Sequence, residues 1–153
     1  MKLYRLHYRQ KLPVSLEEAW RFFSDPANLA SITPPGLGFV VTSPPQSPMY
    51  PGMIISYRIR PLVNIPLAWV TEITHVRQPT YFVDEQRAGP YRFWQHQHHF
   101  RAIPGGVEME DLVHYALPLG LLGNFLQRVA VGRQLEEIFS FRRHTLESLF
   151  PVQ

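Results

Sequence analysis

Two histidines separated by one residue, His96 and His98, have the residue type and spacing in this sequence that best suit chemistry. Alternate side chains of a β-strand share one face, so the two imidazoles would lie roughly 7 Å apart and could bind one metal ion with a third ligand such as Asp111 or His7. No spacing defines that third ligand. The simpler interpretation is that both imidazoles are buried and bond to Tyr115, Asp111 or water. We therefore expect neither a metal ion nor another cofactor.

The same side chains could also act as a general acid and a general base. His96 or His98 could remove a proton beside a carbonyl group, while Tyr115 or Tyr57 donates a hydrogen bond to the developing oxyanion. Asp111 could hold one histidine in a single tautomer. An aldol cyclisation or a dehydration needs these groups, but no spacing compels such a mechanism. The sequence thus favours a non-enzymatic binding protein, and a cyclase or dehydratase with His96, His98 and Tyr115 as candidate catalytic residues is the alternative.

Composition excludes several other kinds of site. Cysteine is absent, so the chain has no disulfide, no thiolate nucleophile and no cysteine-based metal centre. Neither a Gly-x-Ser-x-Gly elbow nor a phosphate-binding glycine loop occurs. The 15 basic residues are scattered among 12 acidic ones, so we expect no nucleic-acid partner. Charges interrupt the apolar segments, and we expect a cytoplasmic protein without stable membrane insertion, either a monomer or a homodimer.

Alternation of apolar and polar side chains predicts a chain dominated by β-strands. The chain has 15 prolines in 153 residues, roughly twice the usual share. Prolines and glycines fall between the alternating segments, where no ladder hydrogen bond is needed. The predicted strands are residues 3–12, 38–42, 53–60, 66–76, 81–87, 91–103 and 107–117.

Helices are predicted at two places. Ser15 and Glu18 have the spacing of a capping box that begins a short helix, and a second helical turn follows at residues 27–32. A proline-free segment from residue 119 to 150 predicts one long helix of about 28 residues, with Gly132 as a weak point or bend. Its predicted apolar stripe is Leu122, Phe125, Leu126, Val129, Leu135, Ile138, Phe139, Leu146 and Leu149.

The last two predicted strands form a hairpin whose register can be predicted. A Gly105-Gly106 turn pairs Ile103 with Glu108 and places Phe100 opposite Asp111. The enclosed face of this hairpin is then Trp94, His96, His98, Phe100, Met109, Asp111, Val113 and Tyr115.

A second hairpin turns at Gln78-Pro79, and its two faces are less clearly divided into a polar and an apolar one. If Val76 pairs with Tyr81, one face carries Trp69 and Phe82, and their aromatic bulk favours this face as the inner one. In the strand at 53–60, Tyr57 belongs to the apolar and therefore inner set.

The order of elements and two stretches of sequence resemble a known superfamily. LPVSLEEAWRFFSDPANLASITPP at 12–35 resembles the START and birch-pollen-allergen-like (SRPBCC) superfamily. GPYRFWQHQHHF and DLVHYALPLG are similar to its ligand-binding and polyketide-cyclase-like subgroup. The resemblance covers the whole chain as one domain, 1–153. It implies an α+β helix-grip fold, in which a curved seven-stranded antiparallel sheet wraps on a long C-terminal helix, with two short helices after the first strand.

The resemblance further implies a cavity between sheet and helix for a hydrophobic or amphipathic small molecule, such as a lipid, isoprenoid or polyketide. Polar groups that could orient such a molecule, and aromatic groups that could provide contact area, lie on the predicted inner faces. The expected ligand-binding residues are Tyr57, Trp69, Phe82, Trp94, His96, His98, Phe100, Asp111 and Tyr115. The segment 33–52, with six prolines, is expected to cover the mouth of the cavity.

Overall fold

The computed structural model describes residues 1–44, 48–61 and 64–152, and in these residues seven strands form one antiparallel sheet. The strands are β1 Tyr4–Leu12, β2 Val40–Val41, β3 Ile54–Ile59, β4 Leu67–Arg77, β5 Tyr81–Ala88, β6 Phe93–Ile103 and β7 Gly106–Ala116. Their order in the sheet is β1-β7-β6-β5-β4-β3-β2, so successive strands are neighbours except where β1 pairs with β7. The seven predicted strands are confirmed.

A short helix, α1 (Leu16–Phe23), follows β1 and begins at the predicted capping box. The Glu18 backbone N–H donates to the Ser15 hydroxyl at 3.2 Å, and the Ser15 backbone N–H donates to the Glu18 carboxylate at 2.9 Å. These two bonds satisfy donors that a helix start otherwise leaves free. Two 3₁₀ helices come next, at Pro26–Ile32 and Pro35–Leu37.

The C-terminal helix is interrupted close to the predicted weak point. It consists of α2 (Gly120–Leu126), a π-helical turn (Gln127–Val131) and α3 (Gly132–Leu149). A Cβ atom at Gly132 would lie 2.7 Å from the Gln127 side-chain nitrogen, so a larger residue here would require that side chain to move. The helix spans the predicted residues but is not one regular rod.

Of the predicted apolar stripe, only some residues of the second half are buried. Leu135, Phe139 and Leu146 are buried on α3, whereas Leu122 and Phe125 on α2 are 55% and 58% exposed. The prediction of one continuous buried stripe was therefore wrong. This part of the helix instead contacts the sheet through polar groups: Tyr4 donates to Asn124 at 2.9 Å, and Gln127 donates to the Tyr115 hydroxyl at 2.7 Å.

α3 lies across the inner face of the sheet and is fastened at β1. Tyr8 stacks on Phe139 with ring centroids 4.5 Å apart. Gln10 donates to the backbone carbonyl of Arg143 at 3.0 Å, and Arg143 donates back to the carbonyl of Arg9 at 2.7 Å. The side of the sheet nearest β1 is therefore closed by the helix, while the side nearest β3 and β4 is left for the cavity described below.

The predicted register of the β6–β7 hairpin was wrong by two residues. Ile103 pairs with Gly106 rather than with Glu108, and His98 rather than Phe100 faces Asp111. The turn residues are Pro104 and Gly105, because Gly105 adopts the left-handed backbone that this turn needs. A slip of two residues leaves every side chain on the same face, and the predicted enclosed set is buried.

The β4–β5 hairpin follows the predicted register only in its middle. Ile73 pairs with Asp84 as the prediction requires, but Val76 pairs with Phe82 instead of Tyr81 because a bulge interrupts the ladder between Ile73 and His75. Ile73 and Phe82 are buried, which confirms the predicted inner face. In the described part of the chain no helix is both long and apolar enough to cross a membrane.

Candidate functional site

A cavity of about 570 Å³ lies between the inner face of the sheet and the C-terminal helix. Its walls are mostly apolar and come from the 3₁₀ helix at Pro26–Ile32, strands β3 to β6, and the helical segments α2 and α3. Pockets of this size and character are typical of sites for small organic molecules.

Six of the nine predicted ligand-binding residues line this cavity. They are Tyr57, Trp69, Phe82, Trp94, His96 and His98. Trp69 and Trp94 meet edge to face with centroids 5.3 Å apart, and Tyr57 lies 6.4 Å from Trp69. These rings form a continuous aromatic wall that a flat or apolar ligand could contact.

The other three predicted residues are buried behind the cavity wall. Phe100 packs against α1, with its ring centroid 5.3 Å from that of Phe23. The Tyr115 hydroxyl is occupied by the hydrogen bond from Gln127. Asp111 lies beneath the two histidines and contacts them from the side away from the cavity. The prediction identified the correct sheet face but could not say how deep each side chain lies on it.

Part of the segment expected to cover the mouth lines the cavity. Thr33, Leu37, Phe39 and Met49 contribute to the wall. The middle of this segment, residues 45–47, lies outside the described residues. That the segment controls access stays a prediction.

Asp84, His96, His98 and Asp111 form a compact group at one end of the cavity, which we call the histidine–aspartate cluster. His96 Nε2 lies 2.8 Å from Asp111 Oδ1, and His98 Nε2 lies 2.7 Å from Asp84 Oδ2. His98 Nδ1 is 3.1 Å from Asp111 Oδ1, a charge contact whose angle lies outside hydrogen-bonding geometry. The two imidazole rings are thereby held between two carboxylates, one deep and one facing the cavity.

Arg142 of α3 is the cation next to this cluster. Its Nη1 lies 3.8 Å from Asp111 Oδ1, and its guanidinium lies over the rings of Phe23 and Phe139. The side chain is only 7% exposed. Sequence reasoning missed this residue, because an arginine in a polar stretch is usually exposed. A signal was present, since Leu135, Phe139, Arg142 and Leu146 follow the spacing of one helix face.

The pKa shifts in the cluster follow from burial and from the neighbouring charges. Burial opposes ionisation of Asp111 and Asp84, but Arg142 and the histidines hold the pKa of Asp111 well below its usual value and lower that of Asp84. Burial and the charge of His98 lower the pKa of His96. Burial also acts against a charged His98, but contacts with both carboxylates raise its pKa overall. Of the two rings, His98 is therefore the one that more readily holds an extra proton, and His96 the one that more readily stays neutral.

In its neutral form, His96 has one ring nitrogen that is free to accept a proton. Its hydrogen bond to Asp111 places the proton on Nε2, so Nδ1 carries a lone pair. Among the described residues Nδ1 makes no hydrogen bond, and its nearest charged neighbour is Asp84 Oδ2 at 3.6 Å.

Asp84 rather than Asp111 or His7 is the third residue that could join the two histidines around a metal ion. One donor atom from each of Asp84, His96 and His98 lies within 4.8 Å of the others. His7 is on the outer face of the sheet, where its Nε2 lies 2.5 Å from a Glu110 oxygen. Asp84 was not among the predicted site residues, because its nearness to the histidines depends on the pairing of β5 with β6.

No protein-family model and no curated protein significantly matches the sequence, but solved structures do match the fold. A protein from Chromobacterium violaceum superposes with a TM-score of 0.73 over 97% of this chain and 98% of that chain, at 12% identity. Ginseng major latex-like protein 151 from Panax ginseng gives 0.69 over 98% and 99%, at 9% identity. A protein from Mycobacterium smegmatis gives 0.68 over 95% and 89%, at 19% identity.

The chain has the helix-grip fold. Identities this low establish the shared fold and leave the activity to be argued from the site itself.

Proposed function

We propose that this protein binds a hydrophobic or amphipathic small molecule in the cavity between the sheet and the C-terminal helix. The observation that carries the proposal is a cavity of about 570 Å³ with aromatic and aliphatic walls and one polar end. Protein interiors are normally packed to the density of organic crystals, so an open space of this size inside a small domain favours a binding site. The sequence resemblance to the ligand-binding branch of the SRPBCC superfamily supports the same proposal.

The chemistry of the walls indicates the class of ligand. Trp69, Trp94 and Tyr57 favour a molecule with a flat or extended apolar body, such as a lipid, an isoprenoid or a polyketide. Asp84 and His96 lie at the far end and would bind a hydroxyl or carbonyl group. The ligand would therefore lie with its polar end at the histidine–aspartate cluster and its apolar body along the aromatic wall.

The proposal is tested by binding of anilinonaphthalene sulfonate, an amphipathic aromatic probe, together with native mass spectrometry of freshly purified protein for a molecule that co-purifies. Ile138 lines the cavity from α3, so Ile138→Trp should fill the space and weaken probe binding at least tenfold. Ile54→Trp is the matched control, since Ile54 is exposed on the outer face of β3. Equal binding by both variants and the unmodified protein would show that the cavity is not the site.

A cyclase or dehydratase is the second candidate, and the free Nδ1 of His96 favours it. This nitrogen faces the cavity and could remove a proton beside a carbonyl group of a bound poly-β-ketone. The test is the intramolecular aldol cyclisation of such a compound, in which the new hydroxyl group leaves as water, monitored by mass spectrometry as the loss of about 18 mass units, which is one water. For an enzyme, His96→Ala should keep probe binding but lose turnover about 100-fold. If the protein is a carrier, the unmodified protein shows no turnover either, and that result would contradict the enzymatic hypothesis.

A further inference from the structure

We propose that Asp84, His96 and His98 bind one divalent transition-metal ion at the polar end of the cavity. The ligand atoms are Asp84 Oδ2, His96 Nδ1 and His98 Nε2. Two imidazole nitrogens and one carboxylate oxygen suit zinc or ferrous iron better than magnesium or calcium, which prefer oxygen ligands.

The distances from Asp84 to the two histidine nitrogens are close to those that one ion requires. Asp84 Oδ2 lies 3.6 Å from His96 Nδ1 and 2.7 Å from His98 Nε2, and a nitrogen of each histidine lies within 4.8 Å of the other. Metal bonds of about 2.0–2.2 Å at tetrahedral or octahedral angles place two ligand atoms about 3.0–3.6 Å apart. The Asp84–His96 pair therefore already has the required separation, and the Asp84–His98 pair needs to open by a few tenths of an ångström.

The far side of the His96 ring has the support that a metal-binding histidine needs. His96 Nε2 lies 2.8 Å from Asp111 Oδ1 in a hydrogen bond, whereas His98 Nδ1 lies 3.1 Å from the same oxygen at an angle outside hydrogen-bonding geometry. A hydrogen-bonded carboxylate fixes the tautomer and orientation of a metal-ligating imidazole. Asp111 is 2% exposed and is positioned in turn by Arg142. This buried carboxylate thus orients His96 for the ion and contacts His98 through charge alone.

The ion would keep open positions on the side facing the cavity. All three ligands lie in the cavity wall, and sites with three protein ligands bind a water or a ligand atom in the remaining positions. This part of the inference rests on the proposed function: an oxygen at the polar end of the bound small molecule would complete the coordination. The metal site itself does not depend on it.

The test uses protein purified without a histidine tag and stripped with a chelator, then titrated with Zn²⁺ by calorimetry. Co²⁺ serves as an optical probe, and Mg²⁺ as the oxygen-preferring control ion. We expect one equivalent of Zn²⁺ and visible Co²⁺ absorption bands, with binding at least tenfold weaker in Asp84→Asn and His98→Ala. His99→Ala is the matched control, because His99 is on the same strand but outside the site.

The result that overturns the proposal is less than a tenth of an equivalent of Zn²⁺, or equal binding by Asp84→Asn and the unmodified protein. Equal weakening by His99→Ala would also overturn it, since it would indicate adventitious surface binding. Circular dichroism establishes that each variant is folded. If His98→Ala does not fold, Asp84→Asn decides, because the Asp84 side chain is 18% exposed to the cavity and tolerates change better. Probe binding by metal-free protein separates failure of the metal site from failure of the proposed function.

Discussion

Replacing Asp111 by asparagine measures how strongly the buried charges hold the sheet and the helix together. The carboxylate is 2% exposed, accepts a hydrogen bond from His96 at 2.8 Å, and has charge contacts with His98 at 3.1 Å and Arg142 at 3.8 Å. A hydrogen bond to a charged group contributes about 1.5–3 kcal/mol. Removing one partner of a buried ion pair costs about 3–5 kcal/mol, because the other charge is left without compensation.

We therefore expect Asp111→Asn to lower the free energy of unfolding by about 3–5 kcal/mol. In a domain of this size each kcal/mol of lost stability lowers the melting temperature by about 2–4 °C, so the melting temperature of the variant should be roughly 10 °C lower. Urea unfolding of metal-free protein, followed by tryptophan fluorescence, gives the free energy, and circular dichroism gives the melting temperature.

The matched control is Glu110→Gln on the adjacent position of the same strand. Glu110 pairs with His7 and Arg9 on the outer face, where ion pairs contribute at most about 1 kcal/mol. A loss of less than about 1 kcal/mol in Asp111→Asn, similar to that of the control, would refute the idea that the cluster links β7 to α3.

Three further experiments test the packing and the helix cap. Leu135 is buried, so Leu135→Ala should lower the free energy of unfolding in urea by about 2–5 kcal/mol. Leu122 is exposed, so Leu122→Ala should change it by less than about 0.5 kcal/mol. Similar losses in the two variants would contradict the described packing of the helix. Ser15→Ala should cost about 1 kcal/mol in a thermal melt by removing the helix cap, and no loss would mean that the cap is replaced by water. Gly106→Ala should lower the free energy of unfolding by about 3 kcal/mol, because its Cβ would lie 2.1 Å from a backbone carbonyl oxygen of β1. Gly105 has open space around it, so Gly105→Ala should cost only about 1 kcal/mol, for the left-handed backbone at this position. The reverse order in urea unfolding would contradict the β1–β7 pairing.

Local patterns were sufficient to predict the elements of this fold. The strands were found because alternation has a period of two, and their ends because proline and glycine interrupt the ladder. The start of α1 was found because a capping box involves residues only three apart. The inner face of the β6–β7 hairpin was correct despite the wrong register, because a slip of two residues preserves the face.

Predictions that required contacts between distant elements were less accurate. Leu122 and Leu135 belong to the same apolar stripe in the sequence, yet only Leu135 faces the sheet. Phe100, Asp111 and Tyr115 share a face with the cavity residues, but other side chains lie between them and the cavity. Depth within a layer depends on what packs above it, and a single strand carries no information about that.

The sequence by itself determined the strands, the cap and the face that carries the histidines, because each depends on residues close together in the chain or on a regular repeat. The type of fold was implied by the resemblance of the sequence to a known superfamily. Only the tertiary structure decided the make-up of the histidine–aspartate cluster. Asp84 reaches it through the pairing of β5 with β6, and Arg142 reaches it from α3, on the far side of the core. Their charges act over a few ångströms of space, and that proximity exists only after the sheet has closed on the helix.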